Sequence, residues 1–193
     1  MANADDDNGL GDDRVLAEQA PSIDWIRDFV GRWHEGWNSH EADRVLGLLT
    51  EDVEVRDDSW PKTMHGHAEV REFVQALWRA VPDMTFELLD GPYVIPGEPR
   101  ASLHWRGSGT FTGPMVPPGF APTGRRWEVD GVDFLEFRDG RIAKLRVALD
   151  MMTVARQLGV MPAAGSRGER AMAAAQRALT WVQDNYRRRS TPA

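Results

Sequence analysis

Cysteine is absent from the 193 residues of this chain. Its absence excludes disulfides, zinc–thiolate sites, iron–sulfur clusters and a cysteine nucleophile. The sequence also lacks any run of about 18 apolar residues, which a membrane-spanning helix would require. The first 20 residues are polar and acidic and contain no apolar stretch typical of a secretory signal. We therefore expect a cytoplasmic protein without membrane contacts.

Positive charge is scarce in the body of the chain. Lysine and arginine number 23 against 30 acids, for a net charge of −7. Residues 1–20 hold six of the acids and one arginine, whereas residues 163–193 hold six arginines and two acids. An acidic body binds nucleic acid poorly, so no nucleic-acid partner is expected. The run Arg187-Arg188-Arg189 is interpreted as a solvated basic terminus.

Composition divides the chain into three parts. Residues 1–20 have few large apolar side chains and are predicted to form a disordered acidic tail. Residues 21–162 hold the patterned sequence of one domain. In the remainder, 163–193, Met172, Leu179 and Val182 recur at helical spacing, which predicts a C-terminal helical extension.

Within the central part, the spacing of apolar residues changes half-way from the period of a helix to the alternation of a strand. Ser22 is a good N-cap for a helix that ends near Asn38, and two further helices are expected at 41–49 and 67–81. A strand is predicted at 52–57, between the second and third helices. Four more strands are expected after the third helix, at 84–90, 100–112, 125–138 and 141–149.

Asp139-Gly140 separates the last two strands and predicts a type I′ hairpin. After the last strand, Asp150 is expected to N-cap a closing helix from Met151 to Leu158. Helices followed by a run of strands indicate the α+β class. Because a sheet covered by helices on one face tends to curl around them, its concave side is expected to enclose a pocket for a small molecule.

Motifs spread over residues 22–160 resemble the SnoaL-like polyketide cyclases. They are Trp37-Asn38, Leu49-Thr50-Glu51-Asp52-Val53, His65-Gly66, Val81-Pro82-Asp83-Met84, Gly109-Thr110-Phe111-Thr112-Gly113, Ala121-Pro122-Thr123-Gly124-Arg125, Asp139-Gly140-Arg141-Ile142 and Gln157-Leu158-Gly159. The order of elements is also similar to nuclear transport factor 2, ketosteroid isomerase and limonene-epoxide hydrolase. The resemblance implies a cone in which N-terminal helices pack in the concave face of a curved antiparallel sheet. It further implies an enzyme without cofactor or metal, and a homodimer formed through the outer sheet face.

Asp57 is the first candidate catalytic residue. The stretch from Thr50 to Phe73 is similar to the ketosteroid isomerases, and this resemblance implies that Asp57 is a general base at the end of the first strand. Burial would raise the pKa of such a carboxyl towards neutrality. The alternatives are a loop acid without catalytic function, or a one-residue shift that selects Asp58.

Asp133 is the second candidate. The same resemblance places it near the protonated carboxyl of an oxyanion hole, where Trp33 replaces the usual tyrosine. An indole N–H donates a hydrogen bond but transfers no proton. Because Asp133 lies among apolar residues on a predicted central strand, it needs a partner or a proton, and a purely structural hydrogen bond is the alternative.

His104 is the third candidate. The epoxide hydrolases carry an essential arginine and aspartate on the corresponding strand, which implies that His104 and Arg106 face the cavity. His104 would then act as acid or base near pH 7. Alternatively, Trp105 faces inward and His104 packs on the outer face.

Val147 occupies the position where the resemblance implies a catalytic aspartate on the last strand. Valine transfers no proton, so any catalysis falls to Asp57, His104 or Asp133. We expect substrate contacts from Trp33, Trp37, Trp60, His65, Arg106 and Val147.

These patterns favour a cofactor-independent cyclase or isomerase that acts by acid–base chemistry on a bulky apolar carbonyl compound. Two alternatives remain. One is an epoxide hydrolase or epoxide-opening cyclase, and the other is a module that binds an apolar ligand or a protein without catalysis.

Overall fold

The computed structural model describes residues 21–190, so the predicted tail at 1–20 lies outside the described residues. Five helices and six strands follow one another in the described part. They are α1 (Ile23–Asn38), α2 (Ala42–Leu46), β1 (Leu49–Asp57), β2 (Met64–His65), α3 (Gly66–Ala80), β3 (Thr85–Val94), β4 (Arg100–Thr110), β5 (Arg126–Arg138), β6 (Arg141–Leu149), α4 (Met151–Leu158) and α5 (Arg167–Ser190).

The predicted helix starts are confirmed by their caps. The side chain of Ser22 accepts a 3.2 Å hydrogen bond from the backbone N–H of Trp25 at the start of α1. At α4, Asp150 Oδ1 accepts one of 3.0 Å from the N–H of Thr153. Each bond satisfies a backbone donor that the first turn of a helix leaves without a partner.

All six strands belong to one open, curved sheet with the order β2-β1-β6-β5-β4-β3. The predicted α+β class is confirmed. One detail differs, because β1 pairs with β6 in the parallel direction whereas an antiparallel sheet was expected. The chain can join these parallel strands because β2, α3 and three further strands lie between them in sequence.

Two strand boundaries differ from the prediction. The sequence predicts no strand between 57 and 67, but Met64–His65 forms β2, in which His65 pairs with Glu54. Strand β3 continues past Gly91-Pro92 to Val94, whereas the predicted strand ends at 90, and its pairing with β4 shifts register at this point. Proline is tolerated there because β3 is an edge strand, so one side of its backbone needs no partner.

The hairpin between β5 and β6 is formed as predicted. Asp139 has φ of 52° and Gly140 has φ of 72°, the two positive values that a type I′ turn requires. The turn aligns β5 with β6, so that residues of both strands face the helices in a defined register.

The core fills the space between the concave face of the sheet and helices α1, α3 and α4. Helix α1 buries Ile26, Phe29, Val30 and Trp33 against it. On β5 every second residue from Trp127 to Phe137 is buried. Among residues 21–190, no helix is long and apolar enough to cross a membrane.

Candidate active site

A cavity remains open inside the cone, bounded by the concave face of the sheet and by α1 and α4. Its volume is about 140 Å³, roughly ten times what one water molecule needs. Aliphatic side chains form part of the wall, and the aromatic rings and methionines that join them are Trp33, Trp37, Met84, Phe86, Trp105, Phe111, Met115, Phe120, Trp127 and Met151. The indoles and thioethers therefore line the interior without filling it.

Two aspartates project into this apolar space from neighbouring positions of the sheet. Asp57 at the end of β1 pairs with Val147 on β6, and Val147 pairs in turn with Asp133 on β5. The three residues form one row across three adjacent strands. The Cα atoms of the two aspartates are two strand spacings apart, a distance of about 10 Å. Their side chains therefore reach the cavity from either side of Val147.

Asp133 is buried and accepts hydrogen bonds from two indole N–H groups. Nε1 of Trp105, from β4, donates a 2.7 Å hydrogen bond to Oδ1, and Nε1 of Trp33, from α1, donates one of 3.1 Å to Oδ2. Burial raises the pKa of Asp133 to about 6, although the two indole hydrogen bonds act in the opposite direction. The negative charge of Asp57 raises this pKa further, so the two acids are electrostatically coupled.

Asp57 is also buried but leaves one oxygen available. Its Oδ1 accepts hydrogen bonds from Ser59, at 2.7 Å from the backbone N–H and 2.5 Å from the hydroxyl. Within residues 21–190, no hydrogen bond reaches Oδ2. Burial raises the pKa of Asp57, while the Ser59 donors and the more distant Arg146 lower it. The arrangement leaves an oriented carboxyl with a free lone pair at the cavity wall.

The neighbouring Asp58 points elsewhere. It pairs with Arg146 at 2.7 Å on the other side of the strands and does not line the cavity. Asp57 is the last residue of β1, and Asp58, the first residue after the strand, turns to the opposite side, where Arg146 lies. The inward residue is Asp57, and the one-residue shift to Asp58 does not occur.

The sequence profile of the family described as SnoaL-like domain matches residues 30–145. The chain belongs to this SnoaL-like family. The match includes α1 from Val30 onwards and strands β1 to β5, and therefore both aspartates of the row. A search of curated proteins finds no sequence that matches this SnoaL-like protein.

Solved structures show the same fold at low sequence identity. AclR from Streptomyces galilaeus, suggested to be a hydroxylase, is 20% identical with a TM-score of 0.62 over 84% of this chain and 98% of its own. A suggested SnoaL-like polyketide cyclase from Jannaschia sp. CCS1 is 19% identical with a TM-score of 0.63, over 75% and 98%. SalBIII, an epoxide hydrolase/cyclase-like enzyme in pyran ring formation, is 19% identical with a TM-score of 0.55, over 66% and 92%. These similarities show that the chain shares its fold with these proteins.

His104 does not lie where the preferred interpretation placed it. Every second residue of β4 from Ala101 to Gly109 is buried, including Leu103 and Trp105, so His104 and Arg106 face the outer side of the sheet. There His104 lies 3.8 Å from Asp130, and Arg106 pairs with the same carboxylate at 2.7 Å. The expected inward orientation of both residues is wrong, and the alternative with Trp105 inside is the observed one.

The other expected contact residues divide into two groups. Trp33, Trp37 and Val147 line the cavity. Trp60 packs against Phe73 in the core without lining the cavity, and the His65 side chain is exposed on β2. Within the described part of the chain, no three His, Asp or Glu side chains come together as a metal site would require.

Two polar residues of the cavity wall, His34 and Ser59, are not among the residues predicted from the sequence. His34 follows Trp33 on α1 and is half-buried, and burial lowers the pKa of its imidazole, which favours the neutral ring. The sequence shows that His34 lies next to Trp33, at the edge of the apolar face of α1. Helical spacing alone does not show that the cavity extends to this edge. Ser59 follows Asp57 by two residues, the spacing at which an aspartate side chain commonly accepts a hydrogen bond from a backbone N–H.

Proposed function

We propose that this SnoaL-like protein is a cofactor-independent cyclase or isomerase that acts by acid–base chemistry on an apolar carbonyl compound, as in polyketide-like secondary metabolism. The observation that carries the proposal is the row Asp57–Val147–Asp133 at the wall of an apolar cavity. Two buried carboxyls with different hydrogen-bond partners can take opposite roles in one proton-transfer reaction.

Asp57 acts as the general base. Its free Oδ2 takes a proton from the carbon next to the substrate carbonyl, while the Ser59 donors hold Oδ1 and stabilise the ionised form. Because burial raises the pKa of this carboxyl, it is a stronger base than an exposed aspartate.

Asp133 stabilises the oxygen of the resulting enolate. In its protonated form, the carboxyl donates a hydrogen bond to the developing negative charge, and the indoles of Trp33 and Trp105 keep it in position. The proton held by Asp57 then returns to another carbon, which completes an isomerisation. Alternatively, the enolate carbon attacks a second carbonyl of the same molecule, which closes a ring, and the alkoxide formed takes up the proton that Asp57 holds.

The character of the cavity wall supports an uncharged, apolar substrate. No lysine or arginine is among the described residues that line it, so a bound anion would meet two acids without a compensating positive charge. The aromatic wall suits ring systems, which gain contact area from stacking and edge-to-face packing. Val147 lies between the acids and contacts the reacting part of the ligand.

A direct test is hydrogen–deuterium exchange at the carbon next to a ketone. 2-Tetralone, whose size of about ten heavy atoms matches the cavity, is incubated with the protein in D₂O and followed by NMR. We expect wild-type protein to accelerate the exchange and Asp57→Asn to lose about 100-fold or more of that acceleration, the usual contribution of a general base.

Asp58→Asn is the matched control, because this neighbouring acid lies outside the cavity. It should keep the wild-type rate to within a few-fold. Equal rates for Asp57→Asn and wild type would contradict the assignment of the base. Absence of acceleration by wild-type protein across a panel of one- to three-ring ketones would contradict the proposed reaction class.

Epoxide opening is a second candidate, favoured by the same pair of carboxyls. One acid would protonate the epoxide oxygen while the other activates water or an internal hydroxyl. Styrene oxide separates the two candidates. Diol formation that requires Asp57 and Asp133, without ketone exchange, would support epoxide opening in place of the cyclase or isomerase.

We also propose that two copies pair through the outer face of the sheet. Tyr93, Ile95 and Phe134 are about half exposed on that face, with exposed fractions of 54%, 49% and 49%. Burying them would remove apolar surface from water. Sedimentation velocity at micromolar concentration tests this proposal, and Phe134→Asp should weaken the association.

A further inference from the structure

Helix α5 leaves the domain after its first two turns. Ser166, Glu169 and Ala173 are half-buried, and Glu169 forms a 2.9 Å ion pair with Arg156 of α4. From residue 174 to residue 183, every side chain is exposed. This part of the helix therefore projects from the cone without packing against it.

The projecting helix carries an apolar seam. Met172, Ala175, Leu179 and Val182 follow one another at spacings of three, four and three residues, the a/d pattern of a coiled coil. The exposed fractions of Met172, Leu179 and Val182 are 45%, 63% and 55%. A helix with such a stripe gains its stability in water by burying the stripe against a partner.

The domain of the same chain cannot cover this seam. With 3.6 residues per turn, Leu179 and Val182 point away from the side on which Glu169 and Ala173 contact the domain. Any residue that covers the seam must come from elsewhere.

The charges of α5 favour a second copy of the same helix. The residues that flank the seam are uncharged: Ala171, Gln176, Ala178 and Gln183. Arg170 and Arg177 lie on the opposite side of the helix, close to the domain-facing side. Two seams can therefore approach each other without placing like charges face to face, and the seam offers no charge for a basic or acidic partner to recognise.

We propose that two copies of this protein associate by pairing their α5 helices along the seam of Met172, Ala175, Leu179 and Val182. The helix of 24 residues is about 36 Å long, and its seam from Met172 to Val182 covers about one and a half heptads. The pairing is therefore concentration-dependent and separate from any contact through the sheet face.

The test compares two full-length variants that differ only in the face of α5 that receives a charge. Leu179→Asp places a carboxylate in the seam, whereas Thr180→Asp places one at the next residue, off the seam. Both are made in the Phe134→Asp background, which removes association through the sheet face. Sedimentation velocity should give the same self-association for the background and for Thr180→Asp, and about ten-fold or more weaker association for Leu179→Asp, which buries an ion in an apolar contact.

A distance measurement identifies the paired surface. Because the chain has no cysteine, a spin label at Thr180→Cys is the only label per chain, and paired helices place two labels roughly 15–25 Å apart in either orientation, given axes 8–10 Å apart. Equal association of the two charged variants, a monomer at all concentrations, or the absence of a short inter-label distance would overturn the proposal. None of these outcomes depends on the enzymatic proposal.

Discussion

The indole of Trp105 lies over the backbone of Gly131, its partner across β4 and β5. A Cβ atom at position 131 would fall 2.3 Å from Cζ2 of that ring. Asp133 is two residues further along β5 on the same face, within hydrogen-bond reach of the indole Nε1. The absence of a side chain at Gly131 is therefore what allows Trp105 to bind the buried carboxyl.

Gly131→Ala should displace Trp105 from Asp133. We expect a loss of stability of about 1–3 kcal/mol, typical of overpacking in a well-packed core, together with a higher pKa of Asp133, because the indole hydrogen bond that lowers this pKa is broken. Urea unfolding and carboxyl ¹³C NMR measure the two effects. Gly31→Ala, on an open face of α1 with nothing within 4 Å of the added carbon, is the control and should be neutral or stabilising. Equal effects at both positions would contradict this account.

Asp133→Asn should change how stability depends on pH. The pKa of Asp133 is raised from 3.8 to about 6 in the folded state, so the folded protein holds this proton more tightly than the unfolded chain. The cost of ionising the buried acid is absent below pH 4 and complete above pH 6. Between these values, the free energy of unfolding of the wild type should fall by about 3 kcal/mol relative to the variant. Urea unfolding at pH 4, 5, 6 and 7 checks this, and a constant difference across the range would exclude it.

The two indole donors should contribute unequally to the ionisation of Asp133. The Trp105 bond is shorter than the Trp33 bond and lowers the pKa more. Trp105→Phe should thus raise the pKa of Asp133 by about one unit, the equivalent of one hydrogen bond to a charged group, and Trp33→Phe should raise it less. Titration of the Asp133 carboxyl by ¹³C NMR measures both. Trp181→Phe, which alters an exposed indole on α5, should leave this pKa where it is, and a reversed order of the two core variants would contradict the prediction.

His34 and His104 should respond differently to the same substitution. His34 lines the cavity and His104 lies on the outer face. His34→Gln should weaken binding of 2-tetralone by about five-fold, the equivalent of one neutral hydrogen bond, whereas His104→Gln should leave it unchanged. Quenching of tryptophan fluorescence measures binding in both variants. A larger effect at His104 would show that the outer face contributes to the site.

Local features of this protein could be predicted from short stretches of sequence. The caps at Ser22 and Asp150 and the turn at Asp139-Gly140 depend on groups within four residues of one another. Such features need no knowledge of distant partners, because the hydrogen bonds and backbone angles involved lie within one turn. Asp57 and Asp133 could be singled out because a resemblance to known enzymes added information that periodicity lacks.

The inward face of β4 could not be predicted from the sequence. His104 and Trp105 are neighbours, and alternation allows either of them to face inward. The choice is made by the register with β5, in which Leu103 pairs with Asp133 and Trp105 with Gly131. The loop between the two strands spans 111–125. Because it is long, the sequence does not determine which residues of β4 and β5 pair.

The sequence by itself determined the α+β class, the caps, the hairpin and the presence of acids on strands that are otherwise apolar. Only the tertiary structure decided that Asp57 and Asp133 flank Val147, that His34 reaches the cavity and that the seam of α5 points away from the domain. The physical reason is that strand register and helix orientation are selected by packing between residues far apart in the chain, which no local pattern encodes.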